Sequence, residues 1–245
     1  MMKYMGSKAR IAKQILPIIL KDRNPAQWYV EPFVGGANMI DKVDGLRLGA
    51  DSNAWVVRAL EFIRDGEPPK NNNEFTEDDY NECYRLAKGE IPVSLKDKGL
   101  IGFALIAYSF GAKWCGGWSR GKNSRGGQRD YVAEQYRAAV KQKPKLNGVY
   151  FTHSRYDELS FPDNSIIYCD PPYANTTKYK DDFNHSDFWQ WCRARTKDGH
   201  KLFVSEYTAP EDFKCVWRQE LNVSVSRKGG HKKAVEKLFI HESQL

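Results

Sequence analysis

The sequence predicts an α/β protein with a doubly wound, mostly parallel sheet and an inserted, mainly helical segment. Three observations carry this expectation. Short apolar runs alternate with helix-period stretches at both ends of the chain. Two of those runs end in glycine or proline turns, at residues 31–38 and 170–173. Between the two halves lies a stretch of different composition, polar at first and then strongly basic.

Lys8 to Leu20 carries Ile11, Ile15, Ile18 and Ile19 at helical spacing, an amphipathic helix kinked or interrupted at Pro17. Trp28-Tyr29-Val30 reads as a short buried strand running into Glu31-Pro32-Phe33-Val34-Gly35-Gly36-Ala37-Asn38. Leu46 to Ala50 is a second strand, ending at Asp51. Ala54 to Asp65 then repeats apolar residues at Val57, Leu60 and Ile63, with Ser52 or Asn53 as cap and Gly66 as stop.

The middle departs from this rhythm. Residues 67–73 form a polar linker, and Thr76 to Asp79 is a capping box opening a helix to about Lys88. Gly99 to Phe110 is apolar throughout, so its period does not choose between helix and strand. Six glycines, two tryptophans and five bases between Gly111 and Arg129 suit a mobile loop or hairpin, not a packed element. The alternation returns with a strand at Val149–Thr152 and a buried strand at Ser165–Cys169 that meets Asp170-Pro171-Pro172-Tyr173. Ser186 is a cap for a helix reaching about Thr196. Lys201–Ser205, Cys215–Trp217 and Lys237–His241 are the remaining strands. The expected organisation is a split domain, 1–66 with 147–245, around an insertion at 67–146.

Composition narrows the function. At 245 residues with 41% hydrophobic side chains, the chain has enough apolar material for a core, which excludes wholesale disorder. No apolar run approaches the ~18 residues of a membrane helix. The N-terminus has no small-residue cleavage site, so no signal peptide is expected. Five cysteines lie far apart, with no C-x-x-C pair, and five histidines are scattered, giving neither a disulfide framework nor a metal site. That cysteine usage suits a reduced, cytoplasmic location. The net charge of +7 is concentrated: residues 111–145 hold nine bases against two acids, leaving the rest neutral. A basic segment on a neutral body points to a polyanion partner.

Two turns carry chemistry. A strand ending in a glycine turn lets backbone N–H groups approach a ligand closely, and Asp51 after the next strand is placed to bind ribose hydroxyls. The turn lacks the G-x-G-x-x-G pattern, which disfavours a dinucleotide but leaves an adenosine-containing ligand or a plain βα junction. In the second turn, two prolines stiffen the chain and remove two donors, leaving the Asp170 carboxylate and nearby carbonyls as acceptors for an NH₂ group. Tyr173 offers a face for stacking a base.

These patches resemble the DNA adenine-N6 methyltransferases related to Dam methylase, over most of the chain and in the family's order. Lys3-Tyr4-Met5-Gly6-Ser7-Lys8 resembles the N-terminal cofactor motif, residues 29–36 the S-adenosylmethionine motif, and Asp51-Ser52-Asn53 the ribose-binding acid. Asp170-Pro171-Pro172-Tyr173 is similar to the catalytic tetrapeptide, and Glu236-Lys237-Leu238-Phe239-Ile240 to the closing strand. Gly35-Gly36-Ala37 stands where the family often has Gly-x-Gly.

The resemblance implies a Rossmann-like methyltransferase that transfers a methyl group from S-adenosylmethionine to N6 of a flipped-out adenine in double-stranded DNA. It implies catalysis by Asp170, Pro171, Pro172 and Tyr173, and cofactor binding by Tyr4, Lys8, Glu31, Phe33, Gly35, Gly36, Asp51 and Asp170. Lys113, Arg120, Lys122, Arg125 and Arg129 in the basic segment are the expected DNA contacts, while a later group at Arg227, Lys228, Lys232, Lys233 and Lys237 reads equally as an extension of that face or as an exposed solvated loop. N4 of cytosine, adenine in RNA, or nucleic-acid binding without catalysis are the alternatives. A partner restriction nuclease and the oligomeric state stay open.

Overall fold

The computed structural model describes residues 2–92, 97–124, 126–173, 183–224 and 231–245, with backbone alone at 221–224 and 231–234. Its strands are β1 (Tyr29–Glu31), β2 (Arg47–Asp51), β3 (Val149–His153), β4 (Ile166–Cys169), β5 (Lys201–Glu206), β6 (Phe213–Ser224) and β7 (His231–His241). They form a seven-stranded sheet in the order β3-β2-β1-β4-β5-β7-β6. β3, β2, β1, β4 and β5 pair in parallel, and β7 runs antiparallel to both β5 and β6. The expected fold class holds. The winding direction reverses between β1 and β4, which opens a crevice at their carboxyl ends where ligands of such sheets bind.

The period-2 alternation of the strands sorts side chains onto two faces. Tyr29, Tyr168, Phe203, Leu238 and Ile240 join a core with α1 (Ala12–Ile19), α2 (Ala54–Asp65) and α4 (Lys98–Ala107). Val30, Ile167, Leu202, Val204 and Phe239 pack instead against Phe188, Trp189 and Cys192 of α6 (His185–Lys197). α2 matches its expected bounds and is capped by the Asn53 side chain. α3 (Glu77–Ala87) begins with the capping box of Thr76 and Asp79.

Four expectations are corrected. The break in the first helix falls at Ile11, after a 3₁₀ turn at Lys8–Arg10, and α1 continues through Pro17. A proline forfeits one backbone bond, and here the apolar face of Ile15, Leu16 and Ile19 is fully engaged in the core, which offsets that loss. α6 starts one residue before Ser186 and is capped by Asn184, whose Oδ1 accepts from the N–H groups of Ser186 and Asp187. β6 and β7 are far longer than the apolar runs suggested, because their outer halves are polar and held by ladder hydrogen bonds beyond the four residues of β7 that meet β5. The glycine-rich loop closes the expected hairpin where Lys122 bridges Gln128, but its tryptophans are packed: Trp114 stacks on Trp55, and Trp118 lies against Phe75 and Tyr80. Tertiary partners for two large aromatics override a local composition that forbids regular structure.

The ambiguous stretch from Gly99 is helical as far as Ala107, where it packs on α2. A Cβ at Gly102 would lie 2.4 Å from the Trp55 carbonyl oxygen, so the two helix backbones approach as only glycine permits. α5 (Tyr131–Gln142) completes the middle segment. We expect Gly102→Ala to destabilise the protein by about 1–3 kcal/mol, read as a lowered urea midpoint at unchanged slope.

Candidate functional site

The site forms where β1, β2 and β4 end. After β1 the chain turns through Pro32–Asn38, with Gly35 at φ +48° and Ala37 at φ +55°. Tyr4 lies directly on this turn. A Cβ at Gly35 would sit 2.7 Å from Tyr4 Cε1, and one at Gly36 2.6 Å from Tyr4 Cβ. The paired glycines therefore permit the N-terminal segment to close over the turn. From the other side Gln142 of α5 donates to the Gly36 carbonyl at 3.0 Å and accepts the Met2 N–H at 2.7 Å. The last helix of the middle segment thus buttresses the glycine turn, a contact nothing in the sequence signals.

Asp51, at the end of β2, accepts the Gly35 N–H at 3.1 Å and the Asn53 N–H at 2.9 Å. One carboxylate ties the turn to the start of α2 and retains acceptor capacity on both oxygens. Burial pushes its pKa up to about 6, against the opposing pull of the two backbone donors.

β4 delivers Asp170 beside Lys8. Lys8 Nζ lies 3.0 Å from Asp170 Oδ1 and 3.8 Å from Glu236 Oε2, and donates to the Gly6 carbonyl at 3.2 Å. It also stands 4.5 Å from the centre of the Tyr173 ring, within cation–π range. Tyr173 donates its hydroxyl to Glu236 at 2.8 Å and meets Tyr207 edge-on, with centroids 4.6 Å apart. Burial alone would lower the Lys8 pKa, but Asp170 and Glu236 outweigh it and hold it above the usual lysine value. Burial raises Asp170, although Lys8 opposes that shift. Behind them Glu31, buried and accepting from Tyr29 at 2.9 Å, is driven well above the carboxylate range by desolvation.

The fold brings together Tyr4, Lys8, Glu31, Gly35, Gly36, Asp51, Asp170 and Tyr173, with Pro171 buried and Pro172 half-buried between the last two. Phe33 joins the rings of Tyr156, Phe183 and Phe188. In the middle segment Lys113 is half-buried and Lys122 exposed. Arg120 pairs with Glu77, while Arg129 grips Glu134 with two nitrogens and lies 4.7 Å from the Tyr131 ring. Arg125, Arg227 and Lys228 lie outside the described residues, as do the side chains of Lys232 and Lys233.

Glu236 and Tyr207 were not foreseen as site residues. Glu236 carries a legible signal, because it shares strand parity with the buried Leu238 and Ile240 and is itself 9% exposed. Tyr207 carries none. A cavity of about 330 Å³ opens beside Tyr4, lined by Lys3, Ser109, Ser119, Tyr131 and Gln135 among others. Among the described residues no cluster of His, Cys, Asp and Glu can hold a metal ion, and no helix is long and apolar enough to cross a membrane.

A winding reversal flanked by a glycine turn and an Asp-Pro-Pro-Tyr corner is consistent with a Rossmann-like methyltransferase fold. Comparison with known proteins supports the same class. The chain is 26% identical over 213 residues to the type II methyltransferase M.FokI of Planomicrobium okeanokoites, covering 78% of this chain and 31% of that protein. It thus spans about a third of that relative's length. No family model matches the chain.

Because Asp51 holds its proton more tightly in the folded than in the unfolded chain, it makes stability fall as pH rises between ~4 and about 6, with no further change above. Comparing Asp51→Asn with the parent by urea unfolding across this window should show the fall reduced by up to about 3 kcal/mol.

Proposed function

We propose that the chain is an S-adenosylmethionine-dependent methyltransferase acting on N6 of adenine in double-stranded DNA. The observation that carries this reading is the stiffened corner after β4: the acceptors of Asp170 and Pro171 sit beside Tyr173, across the winding reversal from the glycine turn.

The residues present fit the methyl donor on chemical grounds. Asp51 keeps free acceptor capacity at the position suited to ribose hydroxyls, and the acids Asp170 and Glu236 flank one lysine, a setting that favours a cationic ligand. Tyr4, Gly35 and Gly36 would form the wall against which it lies, and Lys8 would reach its carboxylate. When bound, the donor supplies an electrophilic methyl group on a sulfonium.

The chain's own work is placement. An adenine amine is a weak nucleophile because its lone pair is delocalised into the ring. Hydrogen bonds from both N–H groups to Asp170 and the Pro171 carbonyl turn that lone pair out of conjugation and aim it. Asp170 is then the acceptor for the proton that the amine sheds. Tyr173, held by Glu236 and Tyr207, presents a ring face to the base. Extrusion of the base from the duplex costs a few kcal/mol, which stacking and hydrogen bonding in this pocket offset. The basic segment supplies phosphate contacts, with Arg120 and Arg129 exchanging Glu77 and Glu134 for the backbone of the nucleic acid.

Asp170→Ala is expected to lower methyl transfer to adenine-containing duplexes by at least about 100-fold, a loss comparable to removing one preorganised transition-state contact. Activity near the parent level, with the circular dichroism spectrum intact, refutes the assignment. Replacing Arg120 and Arg129 together by alanine should reduce the slope of log affinity against log salt by about 2, since each neutralised phosphate contributes roughly 0.9. An unchanged slope would place the nucleic-acid face elsewhere.

A further inference from the structure

Glu236 is an anomaly if stability is its purpose. Its strand neighbours on the same face, Leu238 and Ile240, are fully buried and apolar, and a third apolar residue would extend that core. Instead the position holds a carboxylate 9% exposed, 3.8 Å from a lysine already paired with Asp170 at 3.0 Å. A buried ion pair gains little over apolar packing, and a second acid sharing one cation gains less. The acid is placed where it costs desolvation, at the mouth of the crevice, and its other contact is the Tyr173 hydroxyl.

The charge count explains the placement. Asp170 against Lys8 alone would be neutral. With Glu236 added, the described residues around Lys8 carry one surplus negative charge in a poorly hydrated setting, where charge acts strongly. The methyl donor is a sulfonium, whereas the thioether left after transfer has lost that positive charge. We propose that Glu236 is the specificity-determining residue that makes this site prefer the cationic donor over its neutral thioether product, while holding Tyr173 in place. The proposal rests on the methyltransferase reading and deepens it. On transfer the positive charge passes from sulfur to the amine nitrogen and leaves with a proton, so the attraction that retains the donor does not retain the product. Glu236 thereby favours donor loading and product release with one group.

The test is calorimetric and needs no turnover. Dissociation constants for S-adenosylmethionine and S-adenosylhomocysteine are measured with the full chain, Glu236→Gln, Glu236→Asp and Tyr173→Phe. The parent should bind the sulfonium more tightly than the thioether. Glu236→Gln, which keeps an acceptor for Tyr173 but removes the charge, should shrink that preference roughly tenfold, as expected for loss of one nearby charge in a partly screened site. Glu236→Asp and Tyr173→Phe, which keep a carboxylate, should retain it. If Glu236→Gln weakens both ligands equally, or leaves the ratio unchanged, the residue is structural and the proposal falls while the proposed function stands. If Glu236→Gln does not fold, loss of the preference in Glu236→Asp or Tyr173→Phe overturns the proposal, and its retention in both upholds it. If the parent binds neither ligand, the functional reading itself has failed.

Discussion

The structure around the winding reversal depends on one buried cation, Lys8 near the N-terminus, shared between two carboxylates from the C-terminal part of the chain. Its Nζ joins a 3₁₀ turn at the N-terminus, the corner after β4 and the closing strand β7. Removing Lys8 would strand two carboxylates with little water to solvate them, so the three segments are coupled in position through it. Tyr173 is fixed by the same constraint, because its ring lies over the lysine and its hydroxyl on Glu236. The Asp-Pro-Pro-Tyr corner is therefore held by tertiary contacts as much as by its two prolines.

The neighbouring turn shows the same economy of parts. Gly35 and Gly36 leave room for Tyr4, Asp51 clamps the Gly35 N–H, and Gln142 holds the Gly36 carbonyl. Since Gln142 belongs to α5, the glycine turn feels the middle segment directly. α4 is joined to α2 still more closely at Gly102, so the middle segment shares one core with the sheet. The middle segment and the glycine turn therefore have a route of mechanical contact through α5.

Charge in the basic segment is arranged, not simply accumulated. Arg129 is held by Glu134 and rests on Tyr131, and burial is too slight to cancel the effect of that pairing, which draws the Glu134 pKa down to about 2. Lys3 reaches the same carboxylate at 3.1 Å, linking the N-terminal segment that carries Tyr4 and Lys8 to the basic loop. A phosphate that displaced Glu134 would meet two cations already gathered in one place.

The parallel half of the sheet, α2 with its Asn53 cap and the α3 capping box were all legible in the sequence, because local periods and caps encode them directly. So were the two turns, since proline and glycine constrain the backbone wherever they stand. The helix at 98–107 was not, because it is apolar on all sides and only its contact with α2 defines it. The β6–β7 ribbon was hidden for the opposite reason: the sequence of its outer part is mostly polar, and the backbone ladder that pairs it leaves no apolar run. The residues of the candidate site were named by local motifs, but their partnerships were not. That Lys8 meets Asp170 and Glu236, across 162 and 228 positions of chain, follows only from the order of strands in the sheet, for sequence records which groups exist and tertiary packing alone decides which of them share a dry space.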